Sequence, residues 1–365
     1  MKERNVHLWL GAYSRERVRR LLRRGPPPPR HLLFALCDHY EPLWHGASSA
    51  LAAERVQSWV SRYPKLAARY RDADGLAPRH TFFFPGEEYA PRYLDGLAEL
   101  AKHGHGEVEL HLHHNGATAG SLKRDLSRYL SAMAEHGHLS RDARSGAPRF
   151  AFIHGNWCLA NARRDGRWCG VDAELPLLFE TGCYADFTFP AAFDESQAGI
   201  VNQIYWPAGD LARRRAYESG ETATVGETRR DRLLIIQGPL ALTWKKSWPP
   251  LRIENGNVTG ADPATPHRID TWVAQHIHVR GRPEWFFVKA HTHGAQEETM
   301  SSLLGDGGHA LHDTLTRRYN DGTRWRLHYV TAREMFNIAC AAMAGCSGDP
   351  GDYRNFVLPP PPVAG

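Results

Sequence analysis

Three imidazoles close the segment 107–116, EVELHLHHNG. Read as a strand, its period of two puts Val108, Leu110 and Leu112 on one face and Glu109, His111 and His113 on the other. His114 follows where the strand gives out. Imidazole nitrogen is a favoured ligand for zinc and similar divalent ions, and open sites in α/β folds sit at the carboxyl ends of strands. For a single histidine, a surface position or a ring stacked in the core is the simpler explanation; three at one strand end favour a metal site. Two further segments carry the same chemistry to a strand end. HLLFALCDHYEP places Asp38, His39, Glu41 and His45 at or just past an apolar run, where a carboxylate escapes most of the desolvation that a strand interior imposes. WFFVKAHTHG puts His291 and His293 on one face by the same alternation.

Such residues converge only on a regular scaffold. HTFFFPGEEY, PRYLDGLAELAKHGHG and EVELHLHH read as strand, helix, strand. The continuous apolar run HLLFALC suits a strand buried on both faces. Val56, Trp59, Val60 and Tyr63 recur at helical spacing, with Pro64 placed to break or restart that helix. Leu122, Leu126, Tyr129, Leu130 and Met133 mark another. RFAFIHGNW, YADFTFP, DRLLIIQGP and WFFVKAHTHG supply later strands, VDAELPLLFETG a short helix closed by Gly182, and RLHYVTAREMFNIACAAMAG the last strand and helix. This alternation predicts an α/β fold with parallel strands and helices outside. The long polar connection 190–230 is expected to shape a substrate cleft. WPPLRIENGNVTG is expected to be a hairpin turning on Asn255-Gly256.

The 365 residues suit a core domain over 31–345, preceded by a basic helix and proline linker over 1–30 and followed by a proline-rich tail over 346–365. The tail after Asn355 is expected to be an extended strap or disordered. The formal charge of +5 comes from 45 basic and 40 acidic residues, too mild an excess to argue for nucleic acid. The surplus is concentrated in SRERVRRLLRRG, a helix that Ser14 could cap and that Val18, Leu21 and Leu22 could dock; its six arginines could also touch an anionic membrane surface or a glycan. Pro26 to Pro29 then act as a stiff spacer. No apolar run approaches the roughly 20 residues that span a bilayer, and no signal-peptide pattern opens the chain, so a cytoplasmic location is expected. Six scattered cysteines without a CxxC pair read as reduced, mostly buried thiols.

The run TFFFPGEEYAPRYLDGLAELAKHGHGEVELHLHH resembles the second and third elements of the polysaccharide deacetylase superfamily. The order of CDHYEP, HGNW, YADFTFP and FVKAHTHG extends that resemblance, more weakly, from about Leu32 to Phe336. It implies a distorted (β/α) barrel of about seven parallel strands and a divalent metal, most often zinc, used to hydrolyse acetamido or ester groups on sugars. The chain departs from the family motifs in places. Where the family has two adjacent aspartates, base then metal ligand, this chain has Asp38 followed by His39. Either His39 replaces the ligand, or Asp38 binds metal and Glu41 is the base. His111 matches the first metal histidine; the second would be His113 or His114, since Asn115 stands where the family places it. The arginine that steadies the base is absent, with His154 nearby.

The resemblance therefore implies a metal held by His111, His113 or His114, and Asp38 or His39, which would lower the pKa of a bound water and polarise a carbonyl. Asp38 or Glu41 would take the water proton, and His291, or His293 in its place, would protonate the leaving group. Trp44, Trp157 and Trp206 could stack on sugar rings, and Asp186 could orient a histidine or cap a helix. A metal-assisted glycosidase is a rival; it would need a carboxylate pair about 5 to 9 Å apart, drawn from Glu41, Glu87, Glu88 and Asp186. A catalytically inactive glycan-binding barrel is the other.

Overall fold

The computed structural model describes residues 5–22, 25–244 and 250–364; Arg23 and Arg24 of the basic segment and Trp248 and Pro249 of the expected hairpin lie outside them. The first half of the chain contributes β1 (Arg30–His39), β2 (His80–Pro85), β3 (Gly106–Leu112), β4 (Ser140–Arg141), β5 (Pro148–His154) and β6 (Cys183–Asp186). The second half contributes β7 (Ile204–Pro207), β8 (Gly220–Thr222), β9 (Leu234–Ile236), β10 (Ala241–Trp244), β11 (Leu251–Glu254), β12 (Asn257–Val258), β13 (Trp285–Thr292) and β14 (Trp325–Tyr329). All but β10 and β11 belong to one open sheet in the order β12-β13-β1-β2-β3-β5-β6-β9-β7-β8, with β14 beside β1 and β4 beside β5. The pairs from β12 through β9 are parallel, as is β1–β14. Only β4, β7 and β8 run antiparallel to their neighbours in this sheet.

Strand β1 is the hub. β13 accompanies its whole length, β14 its first half and β2 its last residues. Period-two alternation divides its side chains between two cores. Leu32, Phe34 and Leu36 face an outer layer with Trp59 and Tyr63 of α2 (Ser49–Ala67), Leu94 and Leu97 of α3 (Pro91–Lys102) and Leu126 of α4 (Ala119–Glu135). Leu33, Ala35 and Cys37 face an inner core shared with the last helix. That helix is α9 (Ala332–Met343); α5 (Glu174–Glu180), α6 (Pro266–Val273), α7 (Glu297–Leu303) and α8 (Asp306–Tyr319) lie between α4 and α9, and α1 (Leu10–Leu22) stands near the N-terminus.

α9 opens with a reciprocal cap, the Thr331 hydroxyl accepting from the Glu334 amide and the Glu334 carboxylate from the Thr331 amide. Its residues are almost all buried, and Ala339, Ala341 and Ala342 let it approach the strands closely. At its start Arg333 donates from Nε and Nη2 to the two oxygens of Glu107 at 3.0 and 2.7 Å. Glu107 lies near the beginning of β3, so α9 fills the inner face at the amino ends of the strands. The carboxyl ends are left for chemistry.

Several local expectations are corrected. α1 begins at Leu10, so Ser14 lies inside it and is no cap. Val18, Leu21 and Leu22 are 55, 77 and 81% exposed and do not dock the helix; Tyr13, with Trp9 before it, packs against Val201, Leu240 and Ile253. α2 runs through Pro64 without a break. The segment 190–230 contains β7 and β8, which extend the sheet edge. There is no hairpin at Asn255-Gly256: β11 pairs with β10, and β12 joins β13. The tail is a strap, held where Arg333 Nη1 and Asn337 Nδ2 donate to the Leu358 carbonyl, both at 2.9 Å. The free cysteines are mostly buried, and no described helix is long and apolar enough to cross a membrane.

Glu254, at the end of β11, accepts from Arg268 Nε and Nη2, each at 2.9 Å, and from Trp272 Nε1 at 2.8 Å. Burial alone would raise its pKa, but the hydrogen bonds and charge of Arg268 lower it overall. Its stabilising contribution is therefore complete above the unfolded glutamate value of about 4.3 and is lost as pH falls through the lower folded value. Urea unfolding measured against pH is expected to show stability falling below roughly pH 4, with a shallower fall in Glu254→Gln.

Candidate metal centre

The carboxyl ends of β1, β3 and β13 meet on the inner face. Cys37 pairs in register with His291 and Asp38 with Thr292, so His39 and His293 continue the same side. The β3 alternation holds, with Val108, Leu110 and Leu112 in the outer core and Glu109, His111 and His113 turned inward. His39 has its ring 5.0 Å from that of His111, 4.8 Å from His293 and 5.9 Å from His291. Six of the candidate residues thus come together: His39, Glu41, His111, His113, His291 and His293.

Within this cluster Glu41, His111 and His113 have donor atoms within 4.8 Å of one another. His111 Nδ1 donates to the Ile153 carbonyl at 2.9 Å, which leaves Nε2 as the acceptor nitrogen; it lies 3.2 Å from Glu41 Oε1. His113 Nδ1 is 2.6 Å from Glu87 Oε1 and its Nε2 is 3.1 Å from the same Glu41 oxygen. Two imidazoles, each steered by a partner on Nδ1, aim Nε2 at one buried carboxylate. Lone pairs facing a carboxylate oxygen repel unless a proton or cation lies between them. Here a proton serves: burial would lower the pKa of His113, but Glu41 and Glu87 raise it to about 10. Burial would raise Glu41, yet the imidazoles of His111 and His113 beside it hold it well below the usual carboxylate range. Glu41 Oε2 is buried with no hydrogen-bond partner. A carboxylate and two such histidines, with their Nδ1 atoms engaged, make a His2Glu donor set of the kind that binds zinc and leaves a coordination position open.

The wall beside this trio is made of neutral imidazoles. Burial, reinforced by neighbouring imidazoles, holds His39 well below its ordinary pKa; burial with Lys289 does the same to His291. His39 Nε2 and His291 Nδ1 are buried without hydrogen-bond partners. His291 and Trp157 line a cleft of about 480 Å³ together with Phe193, Ile253 and Asn257. A larger cavity of about 1130 Å³ lies between α1 and α6 and includes none of the six residues; the smaller cleft is the one that reaches the chemistry. Trp44 stands at the other side, 6.0 Å from His293.

The other candidates are placed elsewhere. Asp38 is on the opposite side of β1 from His39: it accepts from the Gly294 amide at 2.6 Å and pairs with His80 Nε2 at 2.9 Å. Alternation turns its side chain away from the face of β1 that carries His39. Asp38 positions the chain after β13, where a Cβ on Gly294 would overlap its carboxylate. Trp206 is in the inner core, not the cleft. Asp186 accepts from the Thr188 amide and hydroxyl at 3.1 and 2.7 Å, bonding no histidine, and burial raises it to about 7. His114 and His154 sit in a second cluster with Cys169 and Glu174. A third grouping, His31, His328 and Asp349, lies at the amino end of β1 and is knit into a chain, His31 to His328 at 2.9 Å and His328 to Asp74 at 2.9 Å.

Glu87, read from the sequence as an acid available to a glycosidase pair, instead sets the ring of His113. Gly155 matters equally. A Cβ there would overlap the His113 ring, so Gly155→Ala is expected to weaken metal binding by about 10- to 100-fold, as loss of ligand orientation does. Competition titration with a chromophoric chelator reads this, with circular dichroism unchanged.

No protein-family model, curated protein or solved structure matches the chain.

Proposed function

We propose that this protein is a divalent-metal-dependent hydrolase, with zinc the favoured ion, that removes N- or O-linked acetyl groups from a carbohydrate. One observation carries the metal-dependent part: His111 and His113 both direct Nε2 at the single buried oxygen Glu41 Oε1, with each Nδ1 already engaged. Glu41, His111 and His113 would hold the ion. A divalent ion so held supplies Lewis-acid polarisation of a carbonyl and activation of water.

The remaining work belongs to the chain. His39 and His293 belong to the imidazole wall, kept unprotonated by burial at neutral pH, and can accept a proton from an attacking water. His291, in the cleft wall and neutral at rest, would protonate the departing amine or alcohol only after receiving the proton released by the attacking water. Trp157 and Trp44 flank the centre as half-buried aromatic surfaces suited to the apolar face of a sugar.

The acetyl-sugar part rests on the resemblance of the TFFFPGEEY to ELHLHH run to polysaccharide deacetylases. The inner core supports a related architecture, since β1, β2, β5, β6, β7, β9 and β13 all contribute side chains around α9, as strands of an opened, distorted barrel would. The acids that a glycosidase would use are committed to other roles. Glu87 holds His113, Glu88 accepts from the Leu43 amide at 2.6 Å, and Asp186 is tied to Thr188.

Metal analysis followed by assays on N-acetylated and O-acetylated sugars tests the reading. Stoichiometric metal with acetate release is expected. Release of reducing sugar in place of acetate, or glycan binding without turnover, would overturn it.

A further inference from the structure

His114, His154, Cys169 and Glu174 form a second cluster, of four residues, that shares no ligand with the first and differs from it in chemistry. His114 follows β3, His154 ends β5, Cys169 lies in the irregular loop after β5, and Glu174 begins α5. Their donor atoms all lie within 4.8 Å of one another, and three of the four residues are fully buried. His114 Nε2 is 2.8 Å from Glu174 Oε1, and the Cys169 thiol lies 3.6 Å from Glu174 Oε2. His154 directs Nδ1 at the Gly155 carbonyl, which leaves Nε2 as a lone pair. That nitrogen faces Glu174 Oε1 at 3.5 Å and has no hydrogen-bond partner although the ring is completely buried.

A metal-free network explains only part of this. Glu174 accepts from His114 and from the Ala160 amide at 2.6 Å, so its carboxylate is satisfied. The lone pair of His154 opposite the same carboxylate is not: two acceptors in contact without a proton or cation between them repel, and burying an unpaired nitrogen costs free energy. One cation resolves both, and a thiolate, two imidazoles and a carboxylate are a complete tetrahedral set for zinc. We propose that these four residues bind a second, structural zinc ion with no position left for substrate.

The loop it would fasten needs a staple. Between β5 and α5 the backbone of Asn156, Trp157, Ala160, Asn161 and Trp168 is left-handed, no strand or α-helix forms, and much of the segment is nevertheless buried. Trp157 of this loop is also the cleft wall, so the second ion would hold the substrate-facing surface without taking part in the reaction.

Cobalt distinguishes the two sites, because only the second contains sulfur. The full-length chain is stripped with a chelator and refilled with cobalt(II). Two equivalents and a near-ultraviolet sulfur-to-cobalt charge-transfer band are expected. Cys169→Ser should abolish the band and one equivalent, whereas His111→Ala should keep the band and lose the other equivalent. Should Cys169→Ser fail to fold, Cys169→Asp retains an anionic donor and should lose the band alone. Absence of the band in the unsubstituted chain, or its persistence without Cys169, would overturn the second site and leave the first untouched.

Discussion

Without His111, the chain is expected to lose its metal from the Glu41 centre and its acetate release to fall to background. His111 supplies one of three donors, and its Nδ1–H is fixed by the Ile153 carbonyl. Perturbing a residue that merely orients a ligand costs about 10- to 100-fold in metal affinity or activity; deleting a ligand must cost more. His111→Ala should retain its far-ultraviolet circular dichroism, because the outer core of β3 is built by Val108, Leu110 and Leu112 on the other face. Elemental analysis of the dialysed variant, alongside the acetate assay, checks the expectation. A variant that keeps full metal content and turnover would remove His111 from the centre.

The largest effect on stability is expected at the opposite end of the same strand. Arg333→Ala leaves the Glu107 carboxylate buried against α9 without its bidentate partner, and also removes the Nη1 bonds at 3.2 and 2.9 Å to the carbonyls of Arg354 and Leu358, which keep only Asn337. Breaking a buried pair from one side costs about 3–5 kcal/mol, a large share of the roughly 5–15 kcal/mol that keeps a domain folded. Replacing both members together, Glu107→Met with Arg333→Leu, should recover much of that loss, since no charge is then stranded. Urea unfolding of the three variants reads the difference. Limited proteolysis should find the tail cut sooner in Arg333→Ala alone.

The two ends of β3 illustrate what can be read from residues alone. Alternation in EVELHLHH is local, so the split between the apolar and histidine faces is legible before any fold is known. The same rule applied to CDHYEP would have separated Asp38 from His39, but an acid at a strand end carries no mark of which face it takes until the strand's phase is known. Leu33, Ala35 and Cys37 define that phase, but Leu32, Phe34 and Leu36 on the other side of β1 are equally apolar. A strand buried on two faces hides its own alternation.

Partners contributed by distant segments were illegible for a different reason. Glu87 reaches His113 from the turn after β2, and Glu174 and Cys169 reach His114 from beyond β5. Nothing in the local spacing of DAELP or RWCG announces such a meeting, which depends on how the parallel strands stack in register. The hairpin expected at Asn255-Gly256 failed similarly: the turn residues were present, but β10 and β13 offered better partners for the strands on either side.

Crystals grown with zinc and measured at the zinc absorption edge test the metal centre directly. An anomalous peak within about 2.0–2.2 Å of Glu41 Oε1, His111 Nε2 and His113 Nε2 is the predicted result. A zinc-saturated crystal with no peak among those three atoms would contradict it.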